Sequence, residues 1–324
     1  MRRRQFLQAV AGGMIVAAWF PGAAAGQDFD HARDVYKALE GQPDLKMTVH
    51  GGEIFVIFAG ALSELERNRI ASWIQRSAVA VSTYFGRFPV DRVGLLIVPE
   101  AGDHIGPATT YGFGSSVMRV RVGGAASDAQ LQDDWVLVHE MVHLALPNVP
   151  RRSEWLLEGN ATYIEPVARA QARQISPQEV WRWTVEDMSK GQPGPDDQGL
   201  DHTHSWGRTY WGGAMFWLMA EIAIYDKSAG RHRLQEALRA INRASGGNTA
   251  SWSVERLTEV GDAAVGVDAL AALYDAMKDR PVHVDLDSAL RRLGISEASG
   301  AIRFDDGAPL AALRRAITNP LPGG

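Results

Sequence analysis

Up to about residue 128, several short segments alternate apolar and polar residues or run wholly apolar, as strands do; beyond it the apolar positions follow a helical period. "ARDVYKALEG" reads as a short opening helix. "LKMTVHGGEIFVIFAG" reads as two strands joined at Gly51–Gly52, a hairpin signal. A long amphipathic helix follows from near Ser63, which stands three residues before Glu66 in the manner of a capping box. "RVGLLIVPE" reads as a buried strand. "SSVMRVRVGG" sets Val117, Arg119 and Arg121 against Met118, Val120 and Val122, as a half-exposed strand would, after a glycine-rich loop over 111–116. Helices are predicted around 131–146, 154–170, 177–189, 206–227 and 230–243. A polar loop rich in Pro and Gly separates the third from the fourth, and the last eighty residues read as mostly helical. The implied class is α+β: a small mixed sheet with one long helix (26–127), a helical part (128–228) and a C-terminal helical region (229–324).

Composition is that of an ordinary globular chain: 46% hydrophobic, 22% charged, net charge −5. No basic stripe marks a nucleic-acid surface, so nucleic acid is not an expected partner. The first 25 residues depart from this composition. Arg2, Arg3 and Arg4, an apolar run, and the small residues "PGAAAG" form the n-region, h-region and cleavage site of an export signal cut after Ala25. "RRRQFLQ" resembles the twin-arginine signal, which implies a periplasmic or otherwise exported protein. The apolar run is shorter than the roughly 18 residues of a spanning helix, so no stable membrane span is expected after cleavage. The chain has no cysteine, so any metal must be held by His, Asp or Glu.

One stretch carries such residues. In "DDWVLVHEMVHLALPNVP", His139 and His143 stand four apart, on one helix face, where two imidazoles can reach one ion. Glu140 follows the first histidine and projects to one side, placed to take a proton from the attacking water. The bland alternative is a pair of core histidines. A third ligand is available in "SEWLLEGNATYIEP": a return helix would bring Glu158 beside both histidines, and Gly159 would let helices approach closely. Thr162 and Glu165, at i+4 and i+7 from Glu158, could orient a ligand histidine through its other ring nitrogen. His202 and His204 in "DHTHS" could line a cleft or hold a second metal, though an exposed H-x-H in a polar loop more often does neither.

"HEMVH" followed by "WLLEGNATYIE" resembles the gluzincin clan of zinc peptidases, in particular the zinc aminopeptidase and glycyl aminopeptidase catalytic domains. The resemblance extends to "RTYWGGAMFWLMAEI", in which Tyr210 and Gly213–Ala214 match a Y-x-K-G-A segment, with Gly212 at the position of the usual lysine. It implies a zincin (thermolysin-like) catalytic domain. His139, His143 and Glu158 would hold one Zn²⁺, Glu140 would act as general base, Tyr210 would donate to the developing oxyanion, and a peptide or protein would be the substrate. One departure stands out. The large aminopeptidases carry a G-x-M-E-N strand whose glutamate grips the substrate amine, whereas "YGFGSSVMRVRVGG" has no acid. An edge strand here could still pair with an extended peptide by strand addition, and Arg119 or Arg121 could contact a substrate carboxylate, although surface arginines are more often simply solvated. Amino- and endopeptidase readings both remain open. The alternative function is a peptidase-like module that binds zinc, peptide or cell-wall components without turnover.

Overall fold

The computed structural model describes residues 29–319. The segment read as an export signal lies outside them. A short helix α1 (Ala32–Ala38) precedes the hairpin β1 (Leu45–Val49) and β2 (Gly52–Phe58). Its turn is made by His50 and Gly51, both at positive φ, as a tight hairpin requires. Helix α2 (Glu64–Phe85) starts where the sequence indicates: Ser63 accepts from the Glu66 N–H while Glu66 accepts from the Ser63 N–H. The chain then forms β3 (Arg92–Glu100), β4 (Ile105–Tyr111) and β5 (Val117–Gly123).

These five strands make one mixed sheet in the order β1-β2-β3-β5-β4. β2, β3 and β5 run parallel; β1 and β4 pair antiparallel on the two edges. Two sequence expectations are corrected here. β4 was not predicted, because Gly106 and Pro107 interrupt its pattern. β5, expected at the edge and half exposed, is an inner strand flanked by β3 and β4.

The second half is mainly helical. The helix predicted over 131–146 is two: α3 (Asp128–Asp133) and α4 (Val136–Val142). Asp134 breaks it by adopting an extended backbone, with ψ 135°. Its carboxylate then accepts from the N–H groups of Val136 (3.0 Å) and Leu137 (3.1 Å) and from Trp73 Nε1 (3.0 Å). It therefore caps α4 and ties it to α2. Next come α5 (Trp155–Gln171), α6 (Pro177–Asp187), a π-helical turn over Gly207–Gly212 and α7 (Gly213–Lys227). The remaining elements are α8 (Leu234–Ser245), α9 (Val254–Val265), α10 (Leu270–Met277), α11 (Leu286–Leu293), the small hairpin β6–β7 (Ile295–Ala298, Ala301–Phe304) and α12 (Ala311–Thr318). One buried apolar cluster runs from the sheet through α2, α4, α5 and α7 into the last helices. No helix of the described residues is long and apolar enough to cross a membrane.

Candidate metal centre

His139 and Glu140 lie on α4, with His143 capping its C-terminal end. The helix is short and almost wholly buried, wedged among sheet, α2 and α5, so its polar side chains can turn only toward the one opening beside it. Glu158 enters from α5. His139 Nε2 stands 3.4 Å and His143 Nε2 3.5 Å from the same Glu158 oxygen, and the three ligand atoms lie within 4.8 Å of one another. Two ligands at about 2.0–2.1 Å from a tetrahedral ion sit about 3.3–3.4 Å apart. The two histidine–glutamate separations therefore fit a single zinc-sized ion. The N,N,O donor set suits Zn²⁺, and Glu158 brings the negative charge a divalent cation needs.

The electrostatics agree. Burial pushes His143 down, but the Glu158 carboxylate, with Glu140 and Glu154 behind it, more than offsets this and pulls it up to about 9. Burial pushes Glu158 up, but the two imidazoles hold its carboxyl well below the usual range. The pocket is built to hold positive charge against Glu158.

Tyr210 lies on the π-helical turn, buried, with its ring stacked on His139 at a centroid distance of 6.4 Å. Burial, followed by Glu158, Glu140 and Glu154, pushes its phenol far above the ordinary range, so it remains a hydrogen-bond donor. The sequence read this stretch as plain α-helix. The wider π turn is a frequent feature of functional sites, and the backbone is closely packed here. A Cβ on Gly191 would lie 2.3 Å from the Gly212 nitrogen, so backbone lies directly on backbone. The same device joins the helix that carries Glu158 to the helix that follows Tyr210. A Cβ on Gly159 would fall 2.2 Å from the Gly213 carbonyl carbon, so α5 and α7 touch at their main chains. This contact sets Glu158 and Tyr210 side by side.

The centre opens into a cleft of about 920 Å³. β4 forms one wall through residues 108–110, with Gly112 just beyond its end, and Trp135, Trp206 and Leu157 add apolar surface. Glu154, one turn before Glu158, also faces it, its pKa raised by burial and by Glu158. His204 lines the cleft, while His202 turns to Asp279 at 2.8 Å. Among the described residues, His139, His143 and Glu158 are the one group of three side chains arranged to hold a metal.

Several sequence expectations need correction. Arg119 and Arg121 do not face the cleft: Arg121 pairs with Asp30 at 2.7 Å, and buried Arg119 donates to Thr109 at 3.0 Å. Glu165, expected to orient a ligand histidine, pairs instead with Arg169 at 3.1 Å, and among the described residues His139 Nδ1 is buried with no hydrogen-bond partner. Three contributors were missed. Thr110, on the unpredicted β4, bonds Glu140. Asp134 caps the histidine helix. Buried Asp201 accepts from Trp155 Nε1 (2.7 Å), Ser153 Oγ (3.0 Å) and Tyr274 OH (2.9 Å), tying the loop before Tyr210 to the start of α5. Only Asp134 had a readable signal, an acid one residue before an apolar helical run.

No family model matches the chain, and no curated protein matches it. Among solved structures, the chain is similar to an aminopeptidase N family protein from Idiomarina loihiensis, with a TM-score of 0.57 and 12% identity, over 78% of this chain and 49% of that one. An M1 zinc metallopeptidase from Deinococcus radiodurans aligns at a TM-score of 0.46 and 15% identity, over 74% of this chain and 52% of that one. The chain thus shares the fold of the first over about half of that protein's length.

Proposed function

We propose that this chain is a zinc-dependent peptidase of the zincin, thermolysin-like type, hydrolysing peptide bonds in the cleft beside β4. One observation carries the reading: the ligand atoms of His139, His143 and Glu158 converge within 4.8 Å, both histidines at 3.4–3.5 Å from one Glu158 oxygen, with a buried carboxylate (Glu140) and a buried phenol (Tyr210) flanking them. Zn²⁺ held by His139, His143 and Glu158 would supply a Lewis acid and would lower the pKa of water there toward about 7. Glu140 accepts the proton of the attacking water and returns it to the leaving amine. The Tyr210 hydroxyl donates to the carbonyl oxygen as it becomes anionic. The outer edge of β4 receives an extended peptide by strand addition, which places the scissile bond against the centre. Leu157, Trp135 and Trp206 offer apolar contact to its side chains. The basic and apolar opening of the sequence supports export, with cleavage after Ala25.

The test is a mixed peptide library incubated with the zinc-loaded protein. Cleavage abolished both by chelator and by Glu140→Gln is the expected result. Cleavage indifferent to Glu140→Gln, or none at all from protein carrying one zinc, refutes the proposal.

A further inference from the structure

Thr110 sits next to last on β4, where the edge strand meets α4. Its hydroxyl lies 2.8 Å from Glu140 Oε2 and 2.9 Å from the Glu140 carbonyl oxygen. A hydroxyl has one proton, so it can donate to only one of these at a time. The carbonyl is a structural acceptor: Leu144 N–H donates to Met141 O, leaving Glu140 O without the partner that a continuing helix would give it. The carboxylate is the stronger acceptor, because a hydrogen bond to an ionised group is shorter and stronger than one to a neutral carbonyl. Among the described residues, no other group donates to that carboxylate.

Resting on the reading of Glu140 as general base, we infer that Thr110 is a positioning residue for that base. Its hydroxyl donates to the Glu140 carboxylate and fixes the rotamer from which the carboxylate faces the reacting centre. A side chain free to rotate about two more bonds would be in register with the attacking water for only part of the time, which lowers the rate without altering peptide binding. The hydroxyl stands on the strand that forms the cleft wall, so the base is referenced to the surface on which the substrate would lie. If Thr110 only satisfied the carbonyl of α4, its loss would cost stability and leave Glu140 in place.

Thr110→Val removes the hydroxyl while keeping the branched shape, and Thr110→Ser keeps the hydroxyl. Crystal structures of the zinc-loaded wild type and both variants, with kcat and KM on a library peptide, test the inference. The expected result has the Glu140 side chain displaced or spread over rotamers in Thr110→Val. Its kcat is lower by about 10- to 100-fold and its KM lies within about twofold, while Thr110→Ser keeps the wild-type Glu140 rotamer and kcat. Glu140 unmoved in Thr110→Val, or kcat unchanged despite movement, overturns the inference. Should Thr110→Val not fold, Thr110→Ala takes its place under the same criteria. Should no peptide be cleaved by the wild type, the proposed function fails, and the crystallographic comparison alone still decides whether Thr110 fixes Glu140.

Discussion

Gly159→Ala tests the backbone contact that joins α5 to α7. In an ordinary helix this change is favourable, by about 0.8–1.0 kcal/mol. Here the added methyl would stand 2.2–2.6 Å from Gly213 C, Gly213 Cα and Ala214 N, where normal contact begins at 3.4 Å. Those atoms are main chain and cannot rotate aside, so the two helices must part by roughly 1 Å. Overpacking of this kind costs about 1–3 kcal/mol or more. Set against the helix gain, we expect a net loss of about 1–2 kcal/mol, read as a Tm lower by about 2–6 °C. The functional loss should be larger than the structural one. Glu158 adjoins Gly159 and Tyr210 lies three residues before Gly213, so the separation carries the phenol away from the metal ligand. A misplacement of about 1 Å costs on the order of a hundredfold in rate. Zinc affinity should change little, because the histidine helix packs on α5 and not on α7 at this point. Differential scanning calorimetry, zinc titration and turnover on one sample separate the three effects. A variant as stable and as active as the wild type would refute the argument from close approach.

Four further outcomes follow from the same geometry. Zinc, measured by elemental analysis, should be about one per chain in the wild type and lost or much weakened in Glu158→Ala. Tyr210→Phe should lower kcat by about 10²–10³-fold at unchanged KM, the effect of removing one oxyanion donor; a loss confined to KM would argue against that role. Burial pushes the Glu221 carboxyl up to about 7 against an ordinary 4.5. A raised acid favours the folded state while protonated, so this contribution is full below about pH 4.5 and is lost as pH rises through 7, by about 3 kcal/mol at most. The stability of Glu221→Gln relative to wild type should therefore grow between pH 5 and pH 8 in urea unfolding, and a pH-independent difference would contradict it. Asp201→Ala should cost about 3–5 kcal/mol, because Trp155, Ser153 and Tyr274 lose the acceptor they share; a change under about 1 kcal/mol in chemical denaturation would deny that hub its role.

The features legible in the sequence were those carried by local signals. Ser63 and Glu66 announced a helix start that forms as read, and the hairpin at Gly51 needed only a residue pair able to take positive φ. His139, His143 and Glu158 were legible as a set because helical periodicity puts the first two on one face, and one return helix suffices to bring the third. What escaped depended on neighbours distant in sequence. β4 is a strand because β5 pairs with it, despite Gly106 and Pro107, and Thr110 was invisible without it. β5 alternates like a surface strand because Arg119 and Arg121 find partners such as Thr109 and Asp30 instead of water. The π turn at Tyr210 coincides with a close approach of the Gly191 and Gly212 backbones, a contact between segments that local propensity does not encode.

β4 is also the strand most at risk of joining another chain, since an exposed edge invites any extended segment to pair. Its first half is blunted. Pro107 has no N–H to offer, and the register against β5 shifts between Ile105 and Ala108. Only residues 108–111 present a regular ladder, a length of about 13 Å. That stretch borders the cleft. The strand is thus blunted against edge pairing along its first half, and along the part that borders the cleft it offers an edge about four residues long.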